Sequence, residues 1–186
     1  TTSQYYNQAS LINEDRYETT QKLLQGVAKA TLHICDGLDW NLNLSYQNEQ
    51  YLYNNYHSSK SQIVDYASRN GQAERSTAEN IKKQMETYIN WDHTFNDVHK
   101  VGVMLGYSWE QADNNNGFGL IAYNFYNDAL SYYNMALANS VSMDDISNIN
   151  SGYLLSTLRM ISYYGRINYS YKSKYLLQAT LRRDGS

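Results

Sequence analysis

The chain has 186 residues, with no proline and a single cysteine, Cys35. Proline cannot donate a backbone hydrogen bond to a neighbouring strand, so its absence is compatible with long, fully paired β-strands. One cysteine excludes a disulfide within the chain. The sequence also lacks an apolar run of the ~20 residues that a membrane-spanning helix requires.

Signs of catalysis or of nucleic-acid binding are also missing. The formal net charge is -3, whereas a nucleic-acid surface is basic. The four histidines lack the spacing of a metal site, and there is no glycine-rich phosphate loop or catalytic serine motif. We therefore predict no enzyme, no cofactor, no metal and no nucleic-acid partner. Cys35 has no partner base in the sequence around it, which indicates a structural thiol.

Tyrosine is abundant, with 20 residues against 3 phenylalanines and 3 tryptophans. A tyrosine ring is apolar and its tip is polar, so it is favoured where one end of the side chain is dry and the other is wet. The composition therefore indicates many positions at a boundary between apolar and aqueous surroundings.

Strict alternation of apolar and polar residues dominates the last part of the chain. Two alternating stretches flank a predicted two-residue turn at Lys172 and Ser173. Because side chains alternate across a strand, this pattern predicts a hairpin with one apolar and one polar face. The apolar face comprises Ile161, Tyr163, Gly165, Ile167, Tyr169, Tyr171, Tyr175, Leu177, Ala179 and Leu181.

Four more alternating stretches precede this hairpin. They cover about 22–35, 39–47, 81–95 and 101–110. Asp-Gly at 36–37 is a strong hairpin signal, and a short turn is predicted at 96–99. Polar connections at 48–78 and 111–155 are long, with a weak helical signal at 135–139. The predicted fold is all-β, with six antiparallel strands in up-and-down order and alternating short and long connections.

This organisation is typical of the wall of a transmembrane β-barrel. Strands that cross a bilayer need ~9–11 tilted residues, which each predicted strand supplies. Outer-membrane barrels combine short periplasmic turns with long extracellular loops. Six aromatic residues fall near the expected membrane interfaces, although core packing is the alternative: Trp40, Tyr46, Trp91, Trp109, Tyr163 and Tyr175.

The C-terminal segment SYYGRINYSYKSKYLLQATLRRDGS resembles a stretch of the SusC/RagA family of TonB-dependent outer-membrane transporters. The family pattern S-Y-F-G-R-x-N-Y-x-Y is followed by a tight turn and K-Y-L-L-x-x-T-x-R-x-D-G-S. Tyr164 stands where the family commonly has phenylalanine. The segment FNDVHKVGVMLGYSWE is similar to a second family stretch through Val98, Leu105, Gly106, Tyr107 and Ser108.

The resemblance implies a much longer protein, with about 22 strands around an N-terminal plug. Residues 1–186 would then be one part of the barrel domain, since they contain no plug, TonB box or signal peptide. The resemblance further implies that the protein lies in the outer membrane of a Gram-negative bacterium, with outer-membrane lipid around the barrel. It also implies that the TonB complex acts through another part of the protein. The implied activity is uptake of an oligosaccharide or a peptide with a SusD-like surface lipoprotein as partner.

The aromatic residues of the two long connections are the candidates for contact with the substrate or the partner. They are Tyr51, Tyr53, Tyr56, Tyr123, Phe125, Tyr126, Tyr132 and Tyr133. Alternatively, they extend the strands and pack on neighbouring loops. On the polar face, Arg166 and Arg182 are predicted either to contact the plug or to line the lumen.

Two other kinds of protein fit the alternation. One is a passive, porin-like barrel, and the other is a soluble β-sandwich or adhesion module. A sandwich would cover Leu42, Leu44, Val103, Leu105 and Ile167 with a second sheet, whereas a barrel would leave them facing lipid.

Overall fold

The computed structural model describes residues 8–66, 68–115, 117–142 and 155–186. Within these ranges the chain forms two short helices, eight strands and two 3-10 segments. In chain order they are α1 (Gln8–Glu14), β1 (Asp15–Cys35), β2 (Leu38–His57), α2 (Gln62–Tyr66), β3 (Gln72–Phe95), β4 (His99–Asn115), β5 (Gly119–Phe125), the 3-10 segments Asp128–Tyr133 and Met135–Leu137, β6 (Ala138–Ser142), β7 (Leu155–Tyr171) and β8 (Tyr175–Gly185). No described helix is both long and apolar enough to cross a membrane.

All eight strands belong to one antiparallel sheet. Its main path has the order β1-β2-β3-β4-β7-β8, and β5 and β6 branch from β3. The six strands of the main path are the six predicted from the alternation. Within the described residues β1 and β8 are the edges of this path, so the sheet is not closed. The predicted all-β class, with antiparallel strands in up-and-down order along this path, is confirmed.

The chain divides into two compact units. The first, here called the loop unit, comprises Glu49–Glu79 and the described parts of Thr1–Leu23 and Asn114–Ser156. The second, the hairpin unit, comprises Leu24–Asn48, Asn80–Asp113 and Thr157–Ser186. The two short turns at 36–37 and 96–98 and the turn at 172–174 all belong to the hairpin unit.

The strands are longer than the alternation predicted. β2 continues to His57 and β3 begins at Gln72, so most of the predicted loop at 48–78 is strand. The connection at 111–155 likewise contains β5 and β6, and its residues 143–154 lie outside the described part. Alternation reveals a strand only where one face is apolar and the other polar. The added part of β2 is polar or aromatic on both faces, the added part of β3 is mostly polar on both, and β5 is largely apolar on both.

The turn before β8 has three residues rather than the predicted two. Tyr171 pairs with Tyr175, which leaves Lys172, Ser173 and Lys174 between the strands. Lys172 and Ser173 are left-handed, with φ of 49° and 54°. A three-residue turn keeps odd-numbered positions of β7 opposite odd-numbered positions of β8. A slip of one residue would have put apolar side chains of one strand beside polar side chains of the other.

Gly37 confirms the predicted turn between β1 and β2. Its φ is 78°, and a Cβ atom there would lie 2.2 Å from the backbone oxygen of Asp92. Asp92 N also donates a 2.7 Å hydrogen bond to Gly37 O. A side chain at this position would therefore strain the turn and push it away from β3.

The apolar face of the hairpin unit is uncovered. Leu105 is 64% exposed and Ile167 is 53% exposed, while Leu44 is also exposed. Leu42 and Val103 are half-buried. No second sheet packs over these side chains in the described part of the chain, as a sandwich would require. An exposed apolar face of this kind is what a barrel wall presents to lipid.

Buried hydrophobic residues are concentrated in the loop unit. Its core contains Tyr56, Ala73, Ala122, Phe125 and Tyr132. β5 carries part of this core against β3, with Ala73 opposite Ala122 and Gln72 opposite Tyr123. The Tyr56 and Phe125 rings meet edge to face with centroids 5.7 Å apart. The described parts of the long connections are therefore packed structure rather than extended loops.

Candidate functional site

A hydrogen-bonded network crosses the polar face of the hairpin unit. Glu86 on β3 accepts hydrogen bonds from Asn43 Nδ2 at 3.1 Å and from Tyr164 Oη at 2.8 Å. Tyr164 lies on β7, so its side chain must pass over β4, which stands between β3 and β7. Gly106 leaves the space, because a Cβ atom there would lie 2.2 Å from Tyr164 Cζ.

A second set of contacts continues this network along β3. Gln84 accepts from Ser45 Oγ at 3.0 Å and donates to Glu110 Oε2 at 2.6 Å. Lys82 Nζ lies 3.2 Å from Glu110 Oε1. Together with Glu86, these side chains give the polar face a continuous surface of amides and carboxylates, suited to contact with water or with a polar protein surface.

Both arginines of the predicted polar face lie there. Arg182 donates to Asp184 Oδ1 at 2.8 Å and to Ser162 Oγ at 3.2 Å. Arg166 has no ion-pair partner within the described residues, and its Nε atom is buried without a hydrogen bond. Its Nη2 atom is 3.9 Å from Met104 Sδ. A contact between either arginine and a plug stays a prediction.

Aromatic rings cluster at the short-turn end of the hairpin unit. Trp91 stacks on His93 with an interplanar angle of 3°, and Phe95 meets His93 edge-on. On the neighbouring strands, His99 Nδ1 and Tyr169 Oη are 2.7 Å apart. Trp91 was predicted from the sequence, but His93, Phe95 and His99 were not. Trp91, His93 and Phe95 alternate along β3 and therefore share one face, whereas only the pairing of β4 with β7 brings His99 beside Tyr169.

The other predicted interface aromatics are placed as follows. Tyr163 packs against Tyr107 with ring centroids 5.3 Å apart and is exposed, as is Tyr175. Trp40 is half-buried and donates from Nε1 to Thr87 Oγ1 at 2.8 Å. Tyr46 is exposed and Trp109 half-buried. Their contact with a membrane interface stays a prediction.

In the loop unit, Asp128 joins two connections that are distant in sequence. Its carboxylate accepts from Ser59 N at 2.8 Å, Ser59 Oγ at 2.7 Å and Tyr56 Oη at 2.8 Å. Burial raises the pKa of this carboxyl, but the three hydrogen bonds and the charge of Lys60 outweigh it, so the pKa lies below its usual value. Burial and the Asp128 contact raise the pKa of Tyr56.

A second junction holds the 3-10 segment against β1. Tyr132 Oη donates to Glu18 Oε2 at 2.5 Å, and the Arg16 guanidinium lies over the Tyr132 and Tyr133 rings at 5.5 and 5.9 Å. Arg69 stacks more closely on Tyr123, at 3.8 Å from the ring centroid. These contacts join the 3-10 segment Asp128–Tyr133 to β1, and β5 to the residues that precede β3.

The structure separates the predicted loop aromatics into two groups. Tyr56, Tyr123, Phe125 and Tyr132 are buried, with Phe125 only 2% exposed. Tyr126 is 95% exposed, Tyr133 67% and Tyr53 38%, and Tyr53 stacks on the half-buried Tyr51. Only this second group is accessible to a ligand. The sequence also missed the exposed Phe118.

The described residues contain no group of three His, Cys, Asp or Glu side chains close enough to share an ion.

Comparison with known proteins finds relatives that are similar in sequence and solved structures that are similar in fold. Two TonB-dependent receptors of Formosa agariphila are 29% and 27% identical over 161 and 157 residues. Each alignment covers 84% of this chain but only 14% and 15% of the relative, so the chain spans about one seventh of their length. A third receptor from the same organism is 31% identical over 138 residues. No family model matches.

Solved structures share the fold at low sequence identity. The RagAB peptide transporter superposes with a TM-score of 0.77 at 9% identity, over 94% of this chain and 18% of that one. The RagAB peptide importer in its open-open state gives 0.77 at 11% identity over the same shares. The fold is therefore that of a segment of the RagAB barrel wall. The resemblance to the SusC/RagA family predicted from the C-terminal motif is confirmed.

Proposed function

We propose that this chain forms part of the barrel wall of an outer-membrane importer that takes up a nutrient with energy supplied through TonB. One observation carries the proposal: the hairpin unit exposes an apolar face, including Leu105 and Ile167, and carries a connected polar network on the other face. Lipid on one side and an aqueous lumen or plug on the other match these two surfaces. The named relatives are receptors and transporters rather than enzymes.

In this arrangement the short turns face the periplasm and the two long connections are extracellular. Arg166 and Arg182 face the plug or the lumen. The exposed Tyr53, Tyr126 and Tyr133 contact the substrate or a SusD-like surface lipoprotein. Tyrosines give large contact areas at low entropy cost, which supports such a role. The substrate is an oligosaccharide or a peptide, and the similarity to the RagAB peptide transporter supports the second.

Cysteine labelling tests the two faces directly. In the intact protein with Cys35→Ser, Leu44→Cys and Ser45→Cys are matched neighbours on opposite faces of β2. In isolated outer membranes we expect a water-soluble maleimide to label Ser45→Cys, provided that the lumen is accessible. A lipid-soluble maleimide should label Leu44→Cys. After transfer to detergent, a band shifted by heating should confirm a barrel.

Recovery in the soluble fraction without a heat shift would refute the barrel and favour a sandwich. Transport is tested by uptake in cells with and without TonB. Uptake that persists unchanged without TonB would favour a passive barrel.

A further inference from the structure

An apolar groove of about 460 Å³ runs along the outward face of the hairpin unit. Its floor is low because Gly165 and Ala179 have small or absent side chains. Leu181 pairs with Gly165 and Ile167 pairs with Ala179, so each small residue lies beside a large apolar one. Leu105 of β4 closes the third side, since its Cδ2 atom would lie 3.2 Å from a Cβ at position 165. All three large side chains are exposed.

The groove covers more than half of the depth of one bilayer leaflet. From Tyr163 to Ile167 the strand rises about 13 Å, at ~3.3 Å per residue. At the ~45° tilt of a membrane-spanning strand this is a depth of about 9 Å, against about 15 Å for half of the ~30 Å hydrocarbon core. An extended acyl chain lying in the groove would therefore begin at the membrane interface and follow the barrel wall over most of its leaflet.

A cation stands at one end of the groove. Arg183 is exposed, pairs directly with Tyr163 across β7 and β8, and lines the groove. No ion pair joins it to any carboxylate within the described part of the chain. The neighbouring guanidinium of Arg182 is on the other face and is paired with Asp184. Among the described residues Arg183 is thus a positive charge without an ion-pair partner, at the end of an apolar groove.

The next outward positions mark the edge of the apolar band. Arg159 Nε donates to Gln111 Oε1 at 3.3 Å, and Thr157 Oγ1 donates to Asp113 Oδ1 at 2.8 Å. Gln111 Nε2 also donates to Asp113, so that carboxylate is already hydrogen-bonded. Polar side chains above an aromatic pair are the pattern of a membrane interface. This end lies away from the short turns, which places it at the outer leaflet in the proposed orientation.

We propose that this groove binds one acyl chain of a phosphate-bearing glycolipid of the outer leaflet, with the phosphate on Arg183. The proposal rests on the proposed function, because it requires the apolar face to meet lipid. The Arg183 guanidinium offers parallel N–H donors that match a phosphate, and Tyr163 supplies an amphipathic ring at the headgroup level. Arg159 adds a second positive charge at the same interface.

The test uses native mass spectrometry of the intact protein in detergent. The probes are lipid A with its phosphates and the same lipid after dephosphorylation. Two variants address the site: Arg183→Gln removes the charge, and Ala179→Phe fills the floor. Two controls are matched to them: Lys174→Gln removes a charge at the other end of β8, and Ala28→Phe enlarges an exposed alanine on β1. All four positions are exposed, so the fold should persist, and a heat-modifiability gel verifies it.

We expect phosphorylated lipid A to bind the parent protein and both controls equally. Arg183→Gln should bind it about tenfold more weakly, equivalent to ~1.4 kcal/mol. Ala179→Phe should weaken both forms of the lipid. Equal binding of both lipids by the parent protein would overturn the role of the phosphate. A heat-modifiable barrel that binds neither lipid, or a second copy of the protein covering the groove, would overturn the site while leaving the proposed function intact. Absence of the heat shift would refute the proposed function itself.

Discussion

Gly106→Ala is expected to change the stability of the protein in opposite directions, depending on whether Tyr164 is present. In the native sequence a Cβ atom at position 106 would lie 2.2 Å from Tyr164 Cζ and 2.6 Å from its hydroxyl oxygen. The ring must therefore move off β4 and lose its 2.8 Å hydrogen bond to Glu86. Hydrogen bonds to charged groups contribute about 1.5–3 kcal/mol, and both side chains are half-buried, so the lower end applies.

Replacing glycine by alanine also has a favourable contribution. Glycine in a strand costs about 0.5–1 kcal/mol relative to alanine, because its unfolded chain has more freedom to lose. The net effect in the native sequence should be a loss of about 1 kcal/mol. In a Tyr164→Ala background there is no ring to displace, and Gly106→Ala should then stabilise by about 0.5–1 kcal/mol.

The assay is urea unfolding of the intact protein in detergent, followed by tryptophan fluorescence and fitted for the four combinations of the two substitutions. Gly26→Ala on β1 is the matched control, since nothing lies within 4 Å of a Cβ at that position. It should be neutral or stabilising in both backgrounds. If Gly106→Ala stabilises the native sequence as Gly26→Ala does, the ring does not cross β4 and the network on the polar face is wrong.

Three further predictions concern the loop unit and the aromatic residues. Because the pKa of Asp128 is lowered in the folded state, its contribution to stability is complete above its unfolded pKa of about 3.9 and is lost as pH falls through the folded value. Limited proteolysis of the loop unit should therefore speed up below about pH 4, and Asp128→Asn should flatten that dependence. Tyr126→Ala should reduce uptake with an unchanged unfolding midpoint, whereas Phe125→Ala should cost about 3–5 kcal/mol, because the first side chain is 95% exposed and the second 2%. An effect of Tyr126→Ala on stability alone would remove it from the contact surface. Trp91→Ala should weaken insertion into vesicles more than Trp91→Phe, and equal effects would argue against an interface position.

Several features of this protein follow from local sequence alone. Alternation identified the six strands of the main path, because a strand with one apolar and one polar face carries a period of two in its sequence. The Asp36-Gly37 turn was equally local, because glycine readily adopts the positive φ that a tight hairpin turn requires, here 78°. The sequence also identified apolar side chains that a barrel would leave uncovered and a sandwich would bury. Among them, Leu105 and Ile167 are exposed.

Other features were decided only by tertiary structure. The aromatic residues of the long connections are indistinguishable in sequence, yet Phe125 is core and Tyr126 beside it is exposed. The part of β2 that extends to His57 shows no apolar alternation in its sequence, because both of its faces there are mainly polar or aromatic. The Glu86–Tyr164 contact spans 78 positions and depends on the absence of a side chain at Gly106, on the strand between them. Alternation assigns a side chain to a face, but strand order and register decide which side chains meet on it.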